Sequence, residues 1–229
     1  MTKDKHYHWS HGPHYQFDDA IVFLTWRLAF TLPKHLLQLF HELSQRPQRE
    51  VQQTMHKPAY DRLSQVEEAG TSMLADNIYL YNKFLEYDLA LAKHQHPGFS
   101  LNQSEIAHIL KDALHSYEGS KYELHAYTIM SNHVHLLIRA HKCGESTYYQ
   151  IADIVKGIKR YTARAINQLL QKEGQVWDRF YFDRIIRDVK NYANVLNYIL
   201  HNPVAAGLVQ NEADWRDSFH NPMLSEKIR

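Results

Sequence analysis

The sequence predicts an α+β fold, and three observations predict it. Ala126–Ile138 reads as two apolar, strand-like runs with Ser131-Asn132 between them. Ala20–Phe30 (AIVFLTWRLAF) is rich in β-branched and aromatic residues and lies between Asp18-Asp19 and Pro33, the composition and punctuation of a strand. Elsewhere, apolar residues recur at three- and four-residue spacing, as on the buried face of a helix.

Residues 1–14 hold His6, His8, His11 and His14 around Gly12-Pro13 with no fixed period, and read as a flexible arm. The strand at 20–30 is apolar on both faces and is therefore expected to be central. From Pro33, Leu36, Leu37, Phe40 and Leu43 mark a helix. Residues 44–58 are polar, with Pro47 and Pro58 as breakers. Helical stretches follow at 60–69 and 72–92, the second carrying Ile78, Leu80, Tyr81, Phe84, Leu85 and Leu89. No chemistry is assigned to this helical block at 34–100, whose aromatics read as core. After a Pro97-Gly98 loop, Ser104 is expected to cap a helix running to Tyr117, with Ile106, Ile109, Leu110 and Ala113 on one face. A turn at Glu118-Gly119-Ser120 leads into strands at 122–131 and 133–140. The next helix, Ser146–Lys172, shows a stripe of Ile151, Ile154, Val155, Ile158, Ala165 and Leu169 and ends before Gly174. Gln175–Arg187 is aromatic and alternates, and reads as a strand at about 176–186 or an extended hairpin. Asp188 then caps a last helix with Tyr192, Val195, Leu196, Tyr198, Ile199 and Leu200, which is expected to stop at Asn202-Pro203. The tail at 210–229 has Trp215 and Phe219, enough to dock. No repeat or linker divides the chain, so residues 1–229 read as one domain.

Composition narrows the function classes. A formal net charge of +1 over 229 residues confines any basic surface to a local patch. One cysteine, Cys143, excludes an internal disulfide framework and fits a reducing cytoplasm. No apolar run approaches the roughly 18 residues of a membrane span, and the polar start Met1-Thr2-Lys3-Asp4 lacks a signal-peptide core. A soluble cytoplasmic protein without membrane partners is expected.

Four stretches carry chemistry. In an extended strand His133 and His135 project from one face while Val134 and Leu136 pack behind. Two imidazoles so placed make half a site for a divalent metal, although an exposed pair on an amphipathic strand has the same spacing. On the long helix, Lys156, Lys159, Arg160 and Arg164 line up at helical spacing, as a phosphate-backbone contact requires. A solvated helix face reads the same way. Arg179, Arg184 and Arg187 alternate with Trp177, Tyr181 and Phe182, a mixture suited to stacking and holding unpaired bases, or to aromatic packing in the core. Tyr198 and Asn202, four apart, are neighbours on one helical face.

FLTWRLAFTLP, AYTIMSNHVHLLI, IVKGIKRYTARAIN, GQVWDRFYFDRIIRD and LNYILHNPVAAGLV follow in this order. In that order the chain resembles the REP-associated tyrosine transposases, relatives of the single-strand transposases of small bacterial insertion sequences within the HUH endonuclease superfamily. The resemblance covers roughly residues 15 to 216 and is loosest over 34–100. It implies a ferredoxin-like antiparallel sheet with helices on its faces, the histidines on a central strand, and an extra helical block after the first strand. It also implies that His133 and His135 bind Mg²⁺ or Mn²⁺, that Asn202 completes the metal site, and that Tyr198 is the nucleophile. Some relatives have glutamine at the position of Asn202. Imidazole ligands favour Mn²⁺ at least as much as Mg²⁺.

The implied reaction is attack of Tyr198 on single-stranded or hairpin DNA, leaving a 5′-phosphotyrosine and a free 3′-hydroxyl that can reverse the step. The metal would polarise the phosphoryl oxygen. A phenol of pKa near 10 needs help at neutral pH, and His201 and His125 are candidate bases without a clear preference. Tyr192, Tyr161 and Tyr181 compete with Tyr198 by residue type, Tyr192 foremost. Relatives act as dimers with exchanged tyrosine helices or as monomers, so either state is expected, in a bacterial cytoplasm at the nucleoid. Two other classes remain open at this point: a catalytically silent hairpin-binding protein, and a metal-dependent phosphoesterase in which water attacks.

Overall fold

Alternation of apolar side chains on both faces puts strand β1 (Ile21–Arg27) inside a sheet, flanked on each side. The computed structural model describes residues 8–9, 13–14, 19–33, 36–37, 84–145 and 147–228. Strands β2 (Tyr122–Ile129), β3 (His133–Ala140), β4 (Phe182–Ile185) and β5 (Ser218–His220) complete a five-stranded antiparallel sheet in the order β4-β1-β3-β2-β5. The first four strands thus lie in the order 4-1-3-2 with helices after β1 and β3, the ferredoxin-like arrangement expected. The helices are α1 (84–93), α2 (Ser104–His115), α3 (Ile151–Leu169), α4 (Val189–Ala205) and the short α5 (Pro222–Glu226). Among the described residues no helix is long and apolar enough to cross a membrane.

The pleat sends Val22, Leu24 and Trp26 to one face of the sheet. There they join Val134, Leu136 and Ile138 of β3 against Ile106 and Leu110 of α2 and Ile154, Val155 and Ile158 of α3. Phe23 and Leu137 point to the other face, where Phe84 of α1 and Tyr192, Val195 and Ile199 of α4 cover them. The register pairs Arg27 with His133 and Thr25 with His135, so Thr25, His133 and His135 lie on this second face, under α1 and α4.

Several elements depart from their sequence expectation. The helix starting at Ser104 has Gln103 at its N-cap with no side-chain cap bond, because the first helical bond is Ala107 N–H to the Gln103 carbonyl at 2.8 Å. Asp188 does cap α4, accepting from Asn191 N at 2.7 Å. That helix runs past Pro203 to Ala205, since Asn202 and Pro203 carbonyls still receive the amides of Ala206 and Leu208, and Gly207 at φ +70° ends it. On α3 the stripe continues through Thr162 and Ile166 instead of Ala165 and Leu169; Leu169 is 44% exposed. Thr162 is buried because its hydroxyl donates to the Ile158 carbonyl (2.8 Å) and accepts from the Trp177 indole (2.9 Å). The strand expected at 176–186 shrinks to Phe182–Ile185, with one isolated bridge from Trp177 to Leu28. The tail docks as anticipated and adds an edge strand, pairing Ala126 with His220.

Within the block at 34–100 the described residues are 36–37 and 84–100. Residues 84–93 are helical, and Leu36 and Leu37 pack with Leu32, Tyr87 and Leu91. Most of the helix expected from Pro33, that expected around 60–69 and most of that at 72–92 fall outside the described residues. So does most of the N-terminal arm, apart from a two-residue ladder between His8–Trp9 and Pro13–His14.

Candidate active site

The two histidines converge. His133 Nε2 and His135 Nε2 are 3.1 Å apart, and both residues are buried. Their other nitrogens are held from behind: His133 Nδ1 meets Asn132 Oδ1 at 2.6 Å, and His135 Nδ1 meets Thr25 Oγ1 at 2.7 Å. Asn132 is oriented by its own amide, which donates to the carbonyls of Leu91 (2.8 Å) and His94. Its oxygen therefore faces the imidazole, so His133 carries its proton on Nδ1 and leaves the Nε2 lone pair free. Thr25 can hold His135 in the same tautomer. Two lone pairs facing each other at this distance repel unless a shared proton or a cation lies between them.

A third residue, absent from the sequence expectations, closes the cluster. Asp88 of α1 places Oδ1 3.5 Å from His133 Nε2 and 3.3 Å from His135 Nε2. These three ligand atoms lie within 4.8 Å of one another. Oδ1 is buried and accepts no hydrogen bond among the described residues. Oδ2 accepts from the Tyr198 hydroxyl and from Asn202 Nδ2, the latter at 2.8 Å. Tyr198 and Asn202, one helical turn apart on α4, thus meet the histidine pair through one carboxylate. Burial raises the Asp88 pKa, but the histidines and the Tyr198 hydrogen bond outweigh it and hold the carboxyl well below its usual range. Burial pushes His133 down to about 3, against the attraction of Asp88, which leaves a neutral imidazole suited to a metal. One carboxylate oxygen and two imidazole nitrogens are a donor set for a divalent cation of intermediate hardness, so the residues fit the metal that the histidine strand implies.

Aromatic rings wall the site. The Tyr198 ring lies 6.1 Å from Phe23, 5.8 Å from Phe84 and 5.5 Å from the His135 ring, and Phe84 stacks on Phe182 at 4.4 Å. Such walls exclude water and strengthen the charges inside.

The competing tyrosines and histidines sit elsewhere. Tyr192 shares its hydroxyl with His125 Nδ1 (3.0 Å) and Ser225 (3.2 Å). Burial holds His125 down to about 4. His201 is exposed and pairs with Glu212 at 3.0 Å. Tyr161 is 59% exposed on α3, and burial raises the Tyr181 phenol well above its ordinary range.

The expected DNA-contacting residues divide. Lys156, Arg160 and Arg164 are exposed along α3, on the face of the sheet opposite the histidines. Arg179 and Arg187 are exposed, and Arg184 is half-buried on β4 opposite Phe23. Lys159 turns away from the stripe. Its ammonium donates to the carbonyls of Asp178 (2.7 Å), Arg179 (3.2 Å) and Phe180 (3.3 Å), and burial lowers its pKa to about 8. The stretch after Trp177 leaves the sheet and turns these carbonyls towards the lysine. Beside it, buried Arg27 grips the Asp178 carboxylate.

Asp88 did carry a local signal. Phe84, Tyr87, Asp88 and Leu91 stand at i, i+3, i+4 and i+7, an acidic residue inside an apolar stripe.

Residues 93–202 match the family model described as "Transposase IS200 like", and over that segment the resemblance read in the sequence is borne out. Among curated proteins, one from Haemophilus influenzae named as a REP-associated tyrosine transposase is 33% identical over 115 residues. The match spans 48% of this chain and 65% of that relative's own length. A solved structure described as a REP-associated tyrosine transposase bound to a REP hairpin aligns over all of this chain and 88% of its own, at 14% identity and a TM-score of 0.49.

Proposed function

We propose that the protein is a metal-dependent tyrosine transposase that nicks and rejoins single-stranded DNA at hairpins of the repeated, REP type. The observation that carries the reading is the meeting of Tyr198, Asn202 and the histidine pair on Asp88. The family match over 93–202 and the name of the Haemophilus relative support the same reading.

In this reading the Tyr198 oxygen attacks the scissile phosphorus. The bond from phosphorus to the 3′ oxygen of the preceding nucleotide breaks, a 5′-phosphotyrosine forms, and the departing oxygen takes up a proton as the phenol loses one. Attack by a 3′-hydroxyl reverses the exchange, so strands are rejoined without a nucleotide cofactor. His133, His135 and Asp88 would hold the divalent cation, Mg²⁺ or Mn²⁺, with Asn202 steadying Asp88 from α4. When bound, that cation supplies Lewis acidity to the phosphoryl oxygen. Thr25 and Asn132 keep the imidazoles in one tautomer, and Phe23, Phe84 and Phe182 keep water from competing with the tyrosine.

Recognition and cleavage lie on different faces. Lys156, Arg160 and Arg164 would take the phosphates of a hairpin stem on the α3 face, with Arg179, Arg184 and Arg187 nearer the strand that is cut. A bacterial cytoplasm, at the nucleoid, is the setting this activity requires.

The test is incubation of 5′- and 3′-labelled hairpin DNA with protein and Mn²⁺, run on a denaturing gel beside Tyr198→Phe and His133→Ala. A metal-dependent, protein-linked band absent from both variants is the expected result. Cleavage without an adduct would make water the nucleophile. Salt-sensitive binding alone would make the protein a silent hairpin binder.

A further inference from the structure

We propose that Asp88 is a positioning residue that fixes the Tyr198 hydroxyl beside the histidine pair while supplying the third protein ligand to the cation. The inference rests on the reading of Tyr198 as nucleophile. It adds a residue that precedes the family-matched segment, since the match begins at residue 93.

Three observations support it. First, the two carboxylate oxygens are used differently. Oδ2 takes the Tyr198 hydroxyl and the Asn202 amide, whereas Oδ1 faces both Nε2 atoms at 3.3 and 3.5 Å and accepts no hydrogen bond among the described residues. A carboxylate present only to bind helix to helix would satisfy both oxygens with donors, because an orphaned buried acceptor costs folding free energy. An oxygen held bare and aimed at two imidazoles is the geometry of a ligand awaiting a cation.

Second, α1 is anchored where Asp88 needs it. Its neighbour Tyr87 is buried near the guanidinium of Arg27, which in turn holds Asp178. Asn132, the residue that orients His133, donates to the Leu91 and His94 carbonyls at the end of the same helix. One helix is therefore tied both to the Trp177-Asp178-Arg179 segment and to the histidine strand.

Third, the link is long in sequence and short in space. Asp88 and Tyr198 are 110 residues apart along the chain, yet their side chains share a hydrogen bond. Through one rigid planar group, the position of the nucleophile follows the position of the cation.

The experiment compares wild type, Asp88→Asn, Asp88→Glu and Tyr198→Phe in two measurements. Calorimetric titration with MnCl₂, without DNA, reads the ligand role. The single-turnover rate of adduct formation at saturating Mn²⁺ reads the positioning role. Asp88→Asn is expected to weaken Mn²⁺ binding by about tenfold or more, while Tyr198→Phe changes it little. At saturating metal, Asp88→Asn is expected to slow adduct formation by roughly 100-fold, the scale of a misplaced reacting group. Asp88→Glu should regain Mn²⁺ affinity and not the rate, because its longer stem moves the second oxygen away from Tyr198. That split between affinity and rate is something a purely structural role would not produce. If Asp88→Asn fails to fold by circular dichroism, Asp88→Glu decides alone through the same split. Wild-type Mn²⁺ affinity in Asp88→Asn, or a wild-type rate at saturation, overturns the proposal. Should the wild type itself form no adduct, the tyrosine mechanism fails, and the Mn²⁺ affinities still decide whether Asp88 is a ligand.

Discussion

Lys159 offers a sharp test, because its sequence position and its structural position assign it opposite work. As one of four cations on α3 it should bind phosphate. In the fold its ammonium closes on three consecutive carbonyls, 2.7 to 3.3 Å away. Lys159→Met keeps most of the apolar stem and removes the ammonium. Each hydrogen bond to a charged group contributes about 1.5–3 kcal/mol net. Three sharing one ammonium do not add, and the desolvation that lowers the lysine pKa to about 8 offsets part of the gain. A loss of about 2–3 kcal/mol follows, since the carbonyls of Asp178, Arg179 and Phe180 lose their shared charged donor. Urea unfolding followed by circular dichroism measures it. At a slope of about 2–3 kcal/mol per molar, the midpoint falls by roughly 1 M. Hairpin binding, followed by fluorescence anisotropy across a salt series, should keep its slope of log affinity against log salt. Arg160→Met is the matched control: stability within about 0.5 kcal/mol and a salt slope shallower by about one. A Lys159→Met protein of wild-type stability with a shallower slope would refute the structural assignment.

Other expectations follow from the same geometry. His125 is fully buried and its folded pKa, about 4, lies below the unfolded value near 6.5. The unfolded chain therefore binds the proton first, and this residue costs nothing above pH 6.5 but destabilises the fold progressively as pH falls from 6.5 to 4, by about 3 kcal/mol at the limit. His125→Asn should flatten that part of the stability–pH curve, and an unchanged curve would remove His125 as its cause. Because Asp88, His133, His135 and Tyr198 meet within one chain, mixing Tyr198→Phe with His133→Ala protein should produce no adduct. Recovery of a protein-linked band in the mixture would mean that partners exchange tyrosine helices.

Local rules carried the sequence a long way towards this site. The period of two along a strand places His133 and His135 together, and the turn of a helix places Tyr198 above Asn202; neither needs any knowledge of the remaining chain. The central position of Ile21–Arg27 was equally legible from its two apolar faces. What the sequence left undecided is whatever depends on a partner far along the chain. Asp88 looks like an irregularity in an apolar helix until the fold brings it to a tyrosine 110 residues away. Lys159 reads as one more cation in a basic stripe until the 177–181 stretch leaves the sheet and turns its carbonyls inward. The physical reason is common to both. Spacing decides which face of an element a side chain occupies, while burial and pairing energies decide its role, and these depend on which element packs against that face.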